Sequence, residues 1–86
     1  MRPEPALVKK RGQLGIIALI LEATMRGQRK TQIMYDARID FRTLDKYLEY
    51  LVTKGLLQHS GPTYKATDKG KQFLERYGEA QRILES

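Results

Sequence analysis

Apolar residues recur at helical spacing through most of the chain. In the first such stretch, which begins at Ala6 or at Gln13 and ends at Met25, Leu14, Ile17, Ala18, Leu21 and Met25 share one stripe. Ile16, Leu19 and Ile20 thicken it, so this helix must be largely buried. Gly12 and Gly15 leave its start open, because each costs about 1 kcal/mol relative to alanine inside a helix. Arg26-Gly27 supplies its stop. Gln28-Arg29-Lys30 then reads as a short polar link with room for a brief extended segment. Thr31 is placed to cap a second helix, Gln32 to about Arg38, with Ile33, Met34 and Ala37 inward. Ile39 fills the corner before the next element.

Asp40 to Lys54, DFRTLDKYLEYLVTK, carries every boundary signal of a third helix. The Asp40 carboxylate can accept a backbone N–H of the first turn, and Gly55 can take the left-handed conformation that ends the helix. Leu44, Leu48 and Leu51 form the buried stripe, widened by Tyr47 and Val52. At about 100° per residue the opposite face holds Arg42, Lys46, Glu49, Tyr50 and Thr53, with Thr43 and Asp45 on its flanks. After Gly55 the period shortens. Leu56 to His59 and Thr63 to Ala66 are candidate strands joined by the Ser60-Gly61-Pro62 turn, with Leu57 and Tyr64 inward. Such a hairpin is only marginally stable alone and must pack on the helices. Thr67 then caps a last helix, Asp68 to about Leu84. Gly70, Phe73, Tyr77, Ala80 and Leu84 follow the 3-4-3-4 spacing of a coiled-coil seam, bordered by Leu74 and Ile83.

This order of elements predicts an α+β, mainly helical fold. It is a winged helix-turn-helix of three helices and a two-stranded β-wing, with a C-terminal dimerisation helix. Residues 1–12 form a basic arm, 13–67 the domain and 68–86 the final helix. Phe73 and Leu74 start that helix on the domain. Tyr77, Ala80, Ile83 and Leu84 then either meet a second copy, which small Gly78 and Ala80 would admit closely, or fold back on their own domain.

Charge sharpens the picture. The net charge is +6, and residues 1–71 hold 14 Lys and Arg against 7 Asp and Glu, whereas residues 72–86 hold 2 against 3. A basic domain with a near-neutral last helix suits a polyanionic partner. Arg and Lys donate to guanine O6 and N7 and to phosphates, so Arg42, Thr43 and Lys46, with Tyr50 deeper along the face, are candidates for a DNA major groove. Lys9, Lys10, Arg11, Lys30 and Lys65 are candidates for phosphate. Each has a plainer alternative. The third helix could be an amphipathic helix with a solvated face, Lys9-Lys10-Arg11 a solvated helix start, the wing a structural hairpin, and His59 an ordinary surface residue.

There are no cysteines and one histidine, so no disulfide framework, cysteine-based metal site or hydrolytic triad is expected. No phosphate-binding glycine loop or paired catalytic group is present, and neither a cofactor nor an enzyme is expected. The longest apolar run, Ile16 to Leu21, is far short of the roughly 20 residues of a membrane span. The expected setting is cytoplasmic and nucleoid-associated.

Two stretches, TQIMYDARIDFRTLDKYLEYLVTKGLL and YKATDKGKQFL, resemble a known family. Its members are small archaeal winged helix-turn-helix proteins that bind duplex DNA and dimerise through an antiparallel coiled coil of their C-terminal helices. The resemblance runs from about Gly15 to Leu84. It implies that Thr31 and the Phe41–Lys46 region approach DNA and that the last helix mediates dimerisation. The chain departs from that pattern in a short last helix interrupted by Gly78. A winged helix can also serve as a protein-interaction module, and the carboxylates Asp45 and Glu49 beside the exposed face favour that alternative.

Overall fold

Helix α1, Gln13–Ala23, supplies the centre of the core, burying Ile17, Ala18, Ile20 and Leu21. Its sides are covered by the helices Lys30–Ala37 and Asp68–Glu85, so the buried face is broader than one stripe. Leu14 and Met25 are exposed, contrary to the expected stripe. Leu14 stands in the opening turn, and Met25 lies past the helix end. Ile20, expected only to thicken the stripe, is fully buried. The computed structural model describes residues 12–85. The proposed start at Ala6 and the basic residues Lys9, Lys10 and Arg11 lie outside them.

Thr24 closes α1. It is fully buried, and its hydroxyl donates to the Ile20 and Leu21 carbonyls at 2.9 and 3.1 Å. Its own carbonyl accepts from Gly27 at 3.0 Å and from Ala66 at 2.9 Å. Burial without these partners would carry a substantial desolvation cost.

Strand β1, Gln28–Arg29, pairs antiparallel with β3, Thr63–Ala66. Strand β3 also pairs with β2, Leu57–Ser60, which gives a three-stranded sheet in the order β1-β3-β2. The polar link is therefore a strand, and the wing has a third member. This pairing also moves the next helix start. Arg29 is extended, with φ −82° and ψ 155°, and α2 spans Lys30–Ala37. Thr31 is thus in the first turn and not the cap, and no side chain caps α2.

Arg38 ends α2 in the left-handed region, φ 59° and ψ 47°, and its N–H donates to the Met34 carbonyl at 2.9 Å. This is the place a glycine would ordinarily occupy. Ile39 packs against the core in the corner, as expected. Helix α3, Phe41–Thr53, buries Leu44, Leu48 and Leu51. Gly55, with φ 81°, closes it in a Schellman arrangement: Leu56 N–H donates to Leu51 O at 2.8 Å and Gly55 N–H to Val52 O at 3.0 Å.

Helix α4, Asp68–Glu85, starts where Thr67 makes two bonds. Its hydroxyl donates to the Gly55 carbonyl at 2.6 Å and accepts from Gly70 N–H at 3.1 Å. One side chain caps α4 and ties it to the end of α3. Gly70 lies against Leu56; an added Cβ would stand 2.4 Å from the Leu56 carbonyl oxygen and 3.2 Å from a Leu21 methyl.

Candidate nucleic-acid interface

The outward face of α3 is set by its cap. Thr43 N–H donates to Asp40 Oδ1 at 3.0 Å. Hydrogen bonding from Thr43, its side chain first and then its backbone, holds the Asp40 carboxyl below its ordinary value of 3.8 by favouring the charged form. With Leu44, Leu48 and Leu51 fixed in the core, helical geometry points Arg42, Lys46 and Tyr50 to solvent, and all three are exposed. Thr43 is half-buried at the edge of this face. Neither Arg42 nor Lys46 is in an ion pair among the described residues. Tyr50 lies under the Lys54 ammonium, 5.7 Å from the ring centroid. Lys69 of α4 donates to the Lys54 carbonyl at 2.8 Å, placing a cation at the negative end of α3.

The wing-side flank of α3 has a different chemistry. Phe41, Asp45, Glu49 and Val52 line it. Lys30, the first residue of α2, ion-pairs with Asp45, and its ammonium stands 5.0 Å from the centroid of the Phe41 ring. Val52, expected to widen the buried stripe, is exposed and faces a groove between α3 and the wing. Asp45, Glu49, Thr53, His59 and Tyr64 also line that groove. His59 and Tyr64 are cross-strand partners whose rings stack at 4.0 Å and 8°.

The structure thus brings Arg42, Lys46 and Tyr50 onto one face, with Phe41 on the flank and Thr31 exposed in the first turn of α2. Lys30 is engaged with α3 rather than standing free. Lys65 is exposed on β3, opposite Gln58. The wing tip is held by a bond from the Thr63 hydroxyl to the Ser60 carbonyl at 3.0 Å. The Lys30–Phe41–Asp45 cluster was only half visible in the sequence. Phe41 and Asp45 are four residues apart and so share a flank, but the arrival of Lys30 depends on the tertiary fold.

On α4, Phe73 and Leu74 pack against the core, and the Phe73 and Tyr77 rings stack at 6.0 Å. Ala80, Ile83 and Leu84 are exposed, Leu84 at 72%. Among the described residues, no group of His, Cys, Asp or Glu has a metal-binding arrangement. No described helix is long and apolar enough to cross a membrane.

Comparison with known proteins agrees with this architecture. A family model described as winged helix-turn-helix matches residues 10–85. An uncharacterized protein of Methanocaldococcus jannaschii is 32% identical over 78 residues, covering 90% of this chain and 80% of the relative. A second from the same organism is 34% identical over 76 residues, covering 87% of this chain but only 36% of its own length. Among solved structures, the chain superposes on Sso10a-2, a DNA-binding protein from Sulfolobus solfataricus, with a TM-score of 0.78. The identity there is 30%, with 87% of this chain and 83% of the other covered.

Proposed function

The chain belongs to the winged helix-turn-helix family, and from that premise we propose that it binds double-stranded DNA as a homodimer, with α3 in the major groove. The observation that carries the reading is the outward pair Arg42 and Lys46, one helical turn apart, exposed, and in no ion pair among the described residues. Such side chains can donate to guanine edges or to phosphate without first breaking an intramolecular pair. The DNA-binding character of the structural neighbour Sso10a-2 supports the same partner. Thr31, exposed in the first turn of α2, and Phe41, exposed on the flank of α3, would extend that contact, and Lys65 offers phosphate a second foothold on the wing. Lys9, Lys10 and Arg11 add positive charge ahead of α1.

Helix α4 is the proposed dimer element. At about 1.5 Å per residue its 18 residues span roughly 27 Å. The molecule is elongated, 45 × 26 × 19 Å. Tyr77, Ala80 and Leu84 lie along the distal half, where a second copy would cover apolar surface. Ile83 borders this seam. Phe73 contributes at its base, next to the core. Two-fold pairing would set half-sites near one turn of DNA apart, about 34 Å, or a multiple of it.

A titration with random and genomic duplexes at several salt concentrations tests the reading. Affinity should fall steeply as salt rises, because bound cations displace counterions from phosphate. Uniform affinity would mark an architectural protein of the nucleoid, and a strong preference for a subset would mark a transcriptional regulator. Absence of binding at low salt would overturn the proposal. It would favour a protein-interaction module, which the carboxylates Asp45 and Glu49 in the α3–wing groove support.

A further inference from the structure

We infer that Lys30 is a charge-masking and positioning residue for the recognition face, and not one of its phosphate ligands. This rests on the DNA-binding reading above. The argument begins with the sign of the charge along α3. Its outward face and wing-side flank present two cations, Arg42 and Lys46, and two carboxylates, Asp45 and Glu49. Those four charges cancel. Asp45 lies three residues after Arg42, on the neighbouring stripe, so DNA that reached Arg42 would bring phosphates within a Debye length, about 8–10 Å, of the Asp45 carboxylate. An unmasked carboxylate there repels the ligand.

Lys30 removes that repulsion. Its ammonium ion-pairs with Asp45 and stands over the face of Phe41, so it is held from two sides by α3. Its backbone is held too, because the two preceding residues, Gln28 and Arg29, are paired with Tyr64 and Thr63 of the wing. A lysine anchored in this way contributes its charge at a fixed point on the flank. It takes the outward face and flank together from neutral to a net positive charge while its donors face Asp45. The same contacts fix the ring of Phe41 at the start of the helix.

The test is a set of four proteins, wild type, K30M, D45N and K30M/D45N, titrated with a random-sequence duplex over a salt series. Lys30 and Asp45 side chains are 36% and 57% exposed, so neither change empties the core. K30M should bind about fivefold to tenfold more weakly, as expected when one carboxylate is left facing phosphate. D45N should bind at least as tightly as wild type. The double variant should return to within about twofold of wild type, because removing both members of the pair restores the net charge. The salt slope of K30M should match that of wild type, since no phosphate contact is lost. If K30M lowers the slope by about 0.9 and D45N does not rescue it, Lys30 contacts phosphate directly and the inference fails. If D45N alone weakens binding as much as K30M, the pair only braces the fold and the inference also fails. If wild type itself does not bind at low salt, the DNA-binding reading fails and the masking role falls with it.

Discussion

Gly70→Ala and Gly78→Ala place the same substitution in the same helix and should move stability in opposite directions. Helix propensity alone favours alanine at both sites by about 1 kcal/mol. At Gly78 the new Cβ would meet nothing closer than the Arg82 guanidinium at 4.0 Å, so the propensity gain should stand. At Gly70 it would meet the Leu56 carbonyl oxygen at 2.4 Å, a distance that bonded neighbours aside is not tolerated. That oxygen cannot retreat cheaply. It accepts from Thr67 N–H at 3.0 Å, and the Leu56 N–H donates to Leu51 O at 2.8 Å, so Leu56 is held on both sides. Relief must come from α4 moving off α3, which strains the Thr67 bonds and opens the contact with Leu21. Overpacking of this kind costs about 1–3 kcal/mol, and weakening a hydrogen bond adds about 1 kcal/mol. Set against the propensity gain, the net destabilisation is about 1–3 kcal/mol, a fall in Tm of roughly 5 to 20 °C for a domain of this size. Thermal denaturation followed by circular dichroism at one protein concentration reads both variants. A Gly70→Ala protein as stable as wild type would show that α4 does not seat against Leu56 as described. If the distal half of α4 pairs with a second copy at Gly78, the Gly78→Ala gain should shrink as protein concentration rises.

Three further outcomes are expected. Thr67→Val keeps the shape and removes the hydroxyl that bonds both Gly55 and Gly70, so it should cost about 1–2 kcal/mol in thermal or urea unfolding; a change within error would mean that the two bonds are not made in solution. Arg38→Gly should stabilise the fold by about 1 kcal/mol, because a left-handed backbone is unfavourable for arginine and free for glycine, and a lower Tm would refute it. Asp40 titrates below its ordinary 3.8 in the folded chain, so the stability it contributes is present above that value and is lost as pH falls through the lower folded value. Asp40→Asn keeps an acceptor for Thr43 but no longer titrates; its Tm against pH should be flatter on the acid side than that of wild type, and parallel curves would remove Asp40 as a cause.

Much of the fold was legible because local signals agreed with one another. Asp40 caps α3 and Gly55 closes it, as the DFRTLDKYLEYLVTK pattern requires. Thr67 caps α4, and a hairpin forms as expected, though its first strand is Leu57–Ser60 and not Leu56–His59, because Ser60 pairs with Thr63 instead of joining the turn. What the sequence hid depends on long-range placement. Two residues, Gln28 and Arg29, are too few to show strand periodicity, and only β3 makes them a strand. That pairing then moved the start of α2 away from Thr31. Leu14, Met25 and Val52 look like core by spacing, but they sit where a helix begins, has ended or borders an open groove. At the site, the Arg42, Lys46 and Tyr50 face could be drawn from the helical period alone. The engagement of Lys30 could not, because its partners belong to another element.

The strand order β1-β3-β2 also bears on the path of folding. Helices α2 and α3 are neighbours in the chain and can associate early, since contacts close in sequence form at little loop-closure cost. Pairing of Gln28 with Tyr64 closes a much longer loop and carries a larger entropic cost. Lys30 belongs to α2 yet follows that strand directly, so its grip on Asp45 joins the local helix pair to the long-range sheet.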